Sequence, residues 1–216
     1  MKKLILFCFI FAAVFYSCGG ATEFSDEAPH NTPIKNSDIR DTIGFQKVIS
    51  EMPPGKKIGA RFEEVIQAET ESYYATELIQ EKFTNVYDGI VNEELANAWY
   101  RTPAANTLFD TVSAKTRFLV GAVIVEGRLN YYRIRSKNKL FTYEDDADAL
   151  LYIRWELYDT QEKKIVYKHK ELGTSRSAES DVQAYGNCVR ISFRNFLAEK
   201  ELVDALKKYV TSYPGR

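Results

Sequence analysis

The chain has 216 residues, with 29 Lys and Arg against 30 Asp and Glu, so its formal net charge is −1 at pH 7. This balance gives no basic excess of the kind that attracts nucleic acid, so we expect no nucleic-acid partner. A composition of 45 % hydrophobic and 27 % charged residues is typical of a globular protein. The length is sufficient for one hydrophobic core, and no internal repeat indicates a second domain.

The N-terminal segment has the pattern of a bacterial lipoprotein signal. It opens with the basic start MKK, and residues 4–16 carry no charge. This apolar run fits a signal peptide and is too short to span a bilayer core, which needs about 20 residues. Residues 17–20 (SCGG) predict cleavage before Cys18 and lipidation of its thiol. Residues 15 and 16 (FY) depart from the aliphatic-then-small pair of the usual lipobox.

Two alternatives to lipidation stay open, namely ordinary signal cleavage near residues 19–21 and retention of the apolar segment as an anchor. Lipid on Cys18 would hold the protein on a membrane, because each buried CH₂ contributes about 0.8 kcal/mol. Gly19, rather than Asp, follows the cysteine, which in enteric-type bacteria implies sorting to the outer membrane. We therefore expect a lipid-anchored protein of the bacterial cell envelope that faces the periplasm.

The segment after the signal is polar. Residues 21–50 are rich in Asn, Asp, Ser, Thr and Pro, and such a composition predicts a flexible tether because little apolar surface can be buried. The sequence PPG at 53–55 marks the entrance to a folded part. The predicted organisation is a signal peptide at 1–17, a lipidated tether at 18–54 and one domain at 55–216.

The first half of this domain predicts a strand and then a helix. Residues 57–65 (KIGARFEEV) alternate in part and indicate a strand, whereas 70–81 fit no single period. The spacing then becomes helical, and one stripe collects Phe83, Val86, Tyr87, Ile90, Val91, Leu95 and Trp99. A short helix containing Leu108 and Phe109 is expected after Pro103.

The second half predicts strands. Residues 118–125 (FLVGAVIV) indicate a central strand covered on both faces, which we expect to continue to Arg135, and the polar residues 137–146 indicate a loop. A β-hairpin is predicted here, because the alternation through residue 158 is followed by a turn at 159–163 and a second strand at 164–173. Its inward face would carry Leu151, Ile153, Trp155 and Leu157, and its outward face Tyr152, Arg154, Glu156 and Tyr158.

Ser180 is predicted to cap a final helix, with a further turn at 202–210. The apolar face of that helix would comprise Val182, Val189, Phe193, Phe196 and Leu197, with Cys188 nearby. The predicted elements follow one another as a strand, one or more helices, three antiparallel strands and a helix. This order predicts an α+β fold. We expect a mainly antiparallel sheet with the helices packed on one face.

Short motifs in the strand region resemble known envelope proteins. The segments FLVGAVI at 118–124, IRWELYD at 153–159 and IVY at 165–167 are followed by Gly173 and a closing helix. This pattern resembles the auxiliary lipoproteins of ABC-type envelope transport systems and the TolB amino-terminal-like domains, over about residues 83–205. The resemblance implies an accessory role in envelope assembly or transport. It transfers no functional residue, because the shared positions are apolar core positions.

Few residues suggest chemistry. His30 lies in the predicted tether. His169 lies in an alternating strand and is expected to be solvent-facing or half-buried rather than a metal ligand. Cys188 is expected to pack as a small apolar residue, with intermolecular pairing as the alternative and a nucleophilic pair with His169 as a remote one. The acidic residues at 144–148 lack a calcium-loop pattern and predict a solvated loop or a contact surface. We predict no catalytic residue, metal site or cofactor.

The function predicted on this basis is that of a non-catalytic accessory component that binds another envelope protein. The outward hairpin residues Tyr152, Arg154 and Tyr158 are the candidate partner-binding set, because Tyr and Arg are enriched in interface hot spots. The partner would dock on this face or add a strand to the hairpin edge. Two alternatives stay open: a small-ligand or lipid-binding module between sheet and helices, and a carboxylate-based hydrolase.

Overall fold

The computed structural model describes residues 28–35, 42–64, 66–102, 116–135 and 142–211. These ranges contain six β-strands, three α-helices and a 3₁₀ turn at Ala75–Ile79. The strands are β1 (Ile43–Ser50), β2 (Lys57–Glu63), β3 (Ala68–Tyr74), β4 (Phe118–Arg135), β5 (Tyr143–Asp159) and β6 (Lys164–Ala178). The helices are α1 (Glu81–Asn97), α2 (Asp181–Ala198) and α3 (Lys200–Thr211).

All six described strands belong to one sheet with the order β3-β2-β4-β5-β6, and β1 also pairs with β4. The pairs β2–β3, β4–β5 and β5–β6 are antiparallel, which confirms the predicted α+β fold with a mainly antiparallel sheet. β4 is the central strand, since β1 runs parallel to its first half and β2 parallel to its second half. The sequence pattern did not indicate these two parallel pairings.

The core lies between the sheet and the helices α1 and α2. The predicted inward residues Leu151, Ile153, Trp155 and Leu157 are at most 1 % exposed. Tyr87 of α1 and Phe193 of α2 both contact the Trp155 ring, with centroid distances of 6.1 and 4.6 Å. The two helices therefore cover the same face of β5.

The helix predictions hold at most positions. Phe83, Tyr87, Val91 and Leu95 are fully buried on α1, as the stripe predicts. The Ser180 side chain accepts a hydrogen bond from the Gln183 backbone N–H at 3.1 Å, which confirms the predicted cap of α2. Trp99 is an exception. The helix ends at Asn97, and Trp99 has a left-handed backbone (φ 65°) and is 56 % exposed.

The predicted tether is wrong for residues 43–50, which form β1, and the boundary at residue 55 is therefore too late. The backbone of this segment pairs with β4, and Ile43 is only 2 % exposed. The shorter segment 28–35 also contacts the folded part. The Ala28 N–H donates to Thr174 Oγ1 at 3.0 Å, and the Ile34 N–H donates to the Leu197 carbonyl at 3.1 Å. Pairing with a distant strand overrides the polar composition of this stretch.

The loop predicted at 137–146 is wrong for residues 143–146, which begin β5. The acidic residues at 144–148 are consequently strand residues, and Asp145 pairs with Arg133 of β4. The extended β4 supplies backbone partners for these residues, so a polar stretch becomes a strand. The signal peptide, Cys18 and the short helix with Leu108 and Phe109 lie outside the described residues.

Candidate functional site

The outward face of β5 carries the predicted partner-binding residues. Alternation along the strand places Tyr152, Arg154 and Tyr158 opposite Trp155, and all three are partly exposed. Two of their direct neighbours on β4 are apolar and buried, since Leu119 pairs with Tyr158 and Val123 pairs with Arg154, whereas Tyr152 pairs with the exposed Glu126. The face thus combines an apolar base with a surrounding layer of tyrosine and charged side chains.

Arg154 is held in place by two carboxylates. Its Nη1 donates to Glu51 Oε2 at 2.9 Å, its Nη2 to Glu51 Oε1 at 2.5 Å, and its Nε to Glu156 Oε1 at 2.8 Å. The hydrogen bond from Arg154 is the main reason why the pKa of Glu51 is lowered. The guanidinium is therefore already paired within the chain, and it presents a fixed surface rather than free hydrogen-bond donors.

Lysines line the neighbouring edge strand β6. Lys168 and Lys170 pair with Glu156 and Arg154 of β5, and both are exposed. The Lys170 ammonium lies 5.2 Å from the centre of the Tyr152 ring, within the range of a cation–π contact. This arrangement agrees with the common use of lysine on sheet edges, where it opposes unwanted strand addition.

A second group of polar residues lies on the other face of β6. His169, Glu171 and Glu199 each offer a ligand atom, and these atoms all lie within 4.8 Å of one another. His169 Nε2 is 3.4 Å from Glu171 Oε1. The predicted half-exposure of His169 is confirmed, since its side chain is 44 % exposed. The sequence did not indicate that two carboxylates converge on it.

Glu171 is an unusual carboxylate because the residue is only 9 % exposed. Burial raises the pKa of Glu171 to about 7; nearby His169 lowers it and Glu199 raises it further. Among the described residues, the carboxylate of Glu171 has one polar contact, which joins its Oε1 to His169 Nε2 at 3.4 Å. A buried carboxylate beside a second carboxylate is a place where a cation would be stabilising.

Two open clefts adjoin the segment 28–35. One, of about 370 Å³, is lined by His30, Thr174, Ser175, Arg176, Asn187, Arg190, Ile191 and Arg194. Two of its three arginines are engaged with one acid: Arg190 Nη1 and Arg194 Nε lie 2.6 and 2.7 Å from the carboxylate of Glu94, which is 1 % exposed. This ion group ties α1 to α2. His30 lies at a cleft wall rather than in a free tether.

Cys188 is buried on α2, and burial raises the pKa of its thiol well above the usual value. The prediction that it packs as an apolar residue is confirmed, because a protonated and inaccessible thiol is neither a nucleophile nor a disulfide partner. Cys18, the predicted lipidation site, lies outside the described residues. None of the described helices is long and apolar enough to cross a membrane.

No protein-family model matches the chain, and a search of curated proteins finds no match. Among solved structures, the chain is similar to a DUF330 protein from Xanthomonas campestris, with a TM-score of 0.40 at 8 % identity over 87 % of this chain and 99 % of that one. It is also similar to the PelC dodecamer from Paraburkholderia phytofirmans, with a TM-score of 0.36 at 11 % identity over 81 % and 96 %.

A third similar structure is a predicted lipoprotein from Caulobacter crescentus, with a TM-score of 0.30 at 13 % identity over 61 % of this chain and 85 % of that one. Likenesses at these TM-scores carry no inference about what the chain does. The resemblance to TolB-like domains and to ABC-system auxiliary lipoproteins stays a prediction from the short strand motifs.

Proposed function

We propose that the chain is a lipid-anchored, non-catalytic accessory protein of the bacterial envelope, which binds another envelope protein through the outward face of β5. The proposed anchor is lipid on Cys18, supported by the apolar run at 4–16 and the SCGG sequence that follows it. The proposed location is the periplasmic side of a membrane, with the outer membrane favoured by Gly19.

The observation that carries this proposal is the one-sided packing of β5. Helices α1 and α2 cover the Trp155 face, while Tyr152, Arg154 and Tyr158 stay partly exposed on the other face. Arg154 is held by Glu51 and Glu156, so less side-chain freedom is lost when a partner covers it. Ordered tyrosine and arginine side chains over an apolar base are the usual make-up of a protein interface.

The alternative of a ligand site between sheet and helices is not favoured by the packing. Trp155, Tyr87, Tyr185, Phe193 and Phe83 occupy the space between these layers and are fully buried. The open clefts described above lie at the surface beside residues 28–35 instead. The hydrolase alternative would need a pair of carboxylates free to act in a cleft. Glu94 lines the second cleft, but its carboxylate is bound by Arg190 and Arg194.

The test replaces Tyr152, Arg154 and Tyr158 together by Ala and compares captured partners after cross-linking in envelope membranes. We expect recovery of the partner to fall about tenfold or more, since truncation of one hot-spot residue costs about 2 kcal/mol. Far-UV circular dichroism and membrane fractionation should be unchanged.

The matched control is a second triple variant with Tyr74, Arg133 and Tyr143 replaced by Ala. It removes two tyrosines and one arginine from exposed positions outside this face. It should capture the same partner as the wild type. Undiminished recovery with the first variant would show that the β5 face is not the docking site, and unfolding of that variant would show that its residues are part of the core.

A further inference from the structure

The strand β6 and the junction between α2 and α3 bring three metal-ligating side chains together. His169 and Glu171 are two positions apart on β6, so their side chains point to the same side of the strand. Glu199 is the residue between the two helices, where the backbone is extended (φ −71°, ψ 122°) and its N–H donates to the Phe196 carbonyl at 3.2 Å. This extended residue places a second carboxylate next to β6.

The distances fit a small metal ion. Ligand atoms held about 2.1 Å from a tetrahedral zinc ion are about 3.4 Å apart. His169 Nε2 and Glu171 Oε1 are 3.4 Å apart, and the whole set lies within 4.8 Å. Glu199 is only partly buried, so a change of its side-chain rotamer can close the remaining gap.

The burial of Glu171 adds to the argument from the distances. This residue is nine-tenths buried and its carboxylate faces His169, with no hydrogen-bond donor closer than 3.4 Å among the described residues. Buried carboxylates are normally paired or bound to a metal. A divalent cation would compensate the charges of both Glu171 and Glu199.

We propose that His169, Glu171 and Glu199 form a binding site for one first-row divalent metal ion, with Zn²⁺ as the ion that fits best. One imidazole and two carboxylates are a donor set suited to Zn²⁺, whereas Ca²⁺ and Mg²⁺ prefer oxygen ligands alone. Three protein ligands leave a fourth position, and the exposure of His169 opens it to water or to a ligand from a partner. The ion would link the edge strand β6 to the helix junction.

The test is a titration of the full chain with Zn²⁺ by isothermal calorimetry, after removal of metal with EDTA. We expect one equivalent to bind and the melting midpoint to rise with Zn²⁺ concentration, because the ion binds the folded state. The variants His169→Ala and Glu199→Gln should each lose affinity about tenfold or more, since even the loss of an outer-shell partner costs about 10- to 100-fold.

Two controls keep the result specific. His30→Ala removes the other histidine of the chain, and Glu201→Gln removes an exposed acid on α3 close to Glu199; both should bind Zn²⁺ like the wild type. Glu199→Gln keeps the side-chain size, so its effect can be read even if His169→Ala fails to fold. Retention of wild-type affinity by Glu199→Gln, or absence of saturable binding in the wild type, would overturn the proposal. Its failure would leave the proposed partner face on β5 untouched, because that face lies on the other side of the sheet.

Discussion

At the scale of single residues, Trp155 is the largest fully buried side chain of the hairpin. Its ring is fully buried against Tyr87, Phe193 and Phe196, and its indole N–H donates to Ser192 Oγ at 2.6 Å. Since an indole donor costs free energy if it is buried without a partner, the contact with Ser192 lets this large side chain pack between strand and helix.

We predict that Trp155→Ala lowers the free energy of unfolding by about 3–5 kcal/mol, the usual cost of emptying such a site. Denaturant titration followed by far-UV circular dichroism measures it. Trp99→Ala is the matched control, because Trp99 is 56 % exposed, and it should change the free energy by no more than about 0.5 kcal/mol. Equal effects of the two changes would mean that the inward face of β5 is assigned wrongly.

The residues differ in how far the sequence reveals their roles. Trp155 belongs to a strict alternation, so its burial follows from the strand period. Trp99 fits the helical stripe, but the helix ends two residues earlier, and element boundaries are poorly encoded in local spacing. His169 and Glu171 are visibly two apart on one strand, which is a signal for a shared face. Glu199 lies 28 positions beyond Glu171 in the chain, and only the folded arrangement brings it to them.

At the scale of elements, the contact between β6 and α2 depends on a glycine. A Cβ on Gly173 would lie 1.9 Å from the carbonyl oxygen of Cys188, so the strand and helix backbones approach too closely for any side chain. The close approach lets α2 pack against β6. His169 lies on the same strand, and Glu199 lies at the end of the same helix.

We predict that Gly173→Ala is destabilising, by several kcal/mol, because strand or helix must move apart and lose packing contacts. Gly121→Ala is the control on the central strand β4, where the nearest atom to an added Cβ is 3.8 Å away. Thermal unfolding of both variants in the same buffer measures the difference. A Gly173→Ala protein that melts with the wild type would show that β6 and α2 are not in this close contact.

The elements that the sequence missed have no clear period of their own and depend on pairing with another strand. The hairpin and α2 were predictable because a strand period, a turn and a capping serine are local signals. β1 was missed because its apolar residues stand in a polar stretch, and its pairing partner β4 lies some 75 residues further along the chain. The acidic start of β5 was missed for a different reason: its residues are polar, and their strand conformation depends on pairing with the nearby end of β4, as between Arg135 and Tyr143.

At the scale of the whole molecule, the position of segment 28–35 bears on the proposed anchor. Ala28, Asn31 and Ile34 donate backbone hydrogen bonds to β6 and α2. The chain between Cys18 and Ala28 is ten residues, which cannot span more than about 35 Å. A lipidated Cys18 would thus hold the domain close to the bilayer, whereas a tether reaching residue 54 would have allowed a much greater distance.

We predict that Cys18→Ser abolishes metabolic labelling with a fatty-acid analogue and leaves a larger, unprocessed precursor, because the serine hydroxyl cannot form the thioether to which the diacylglycerol is attached. Gel mobility and in-gel detection of the analogue measure both effects. Cys188→Ser is the control, since that buried thiol takes no part in lipidation, and it should label like the wild type if the variant folds. Equal labelling of Cys18→Ser and wild type would rule out lipid on Cys18. An unlabelled wild type that is nevertheless shortened at residues 19–21 would instead identify ordinary signal cleavage.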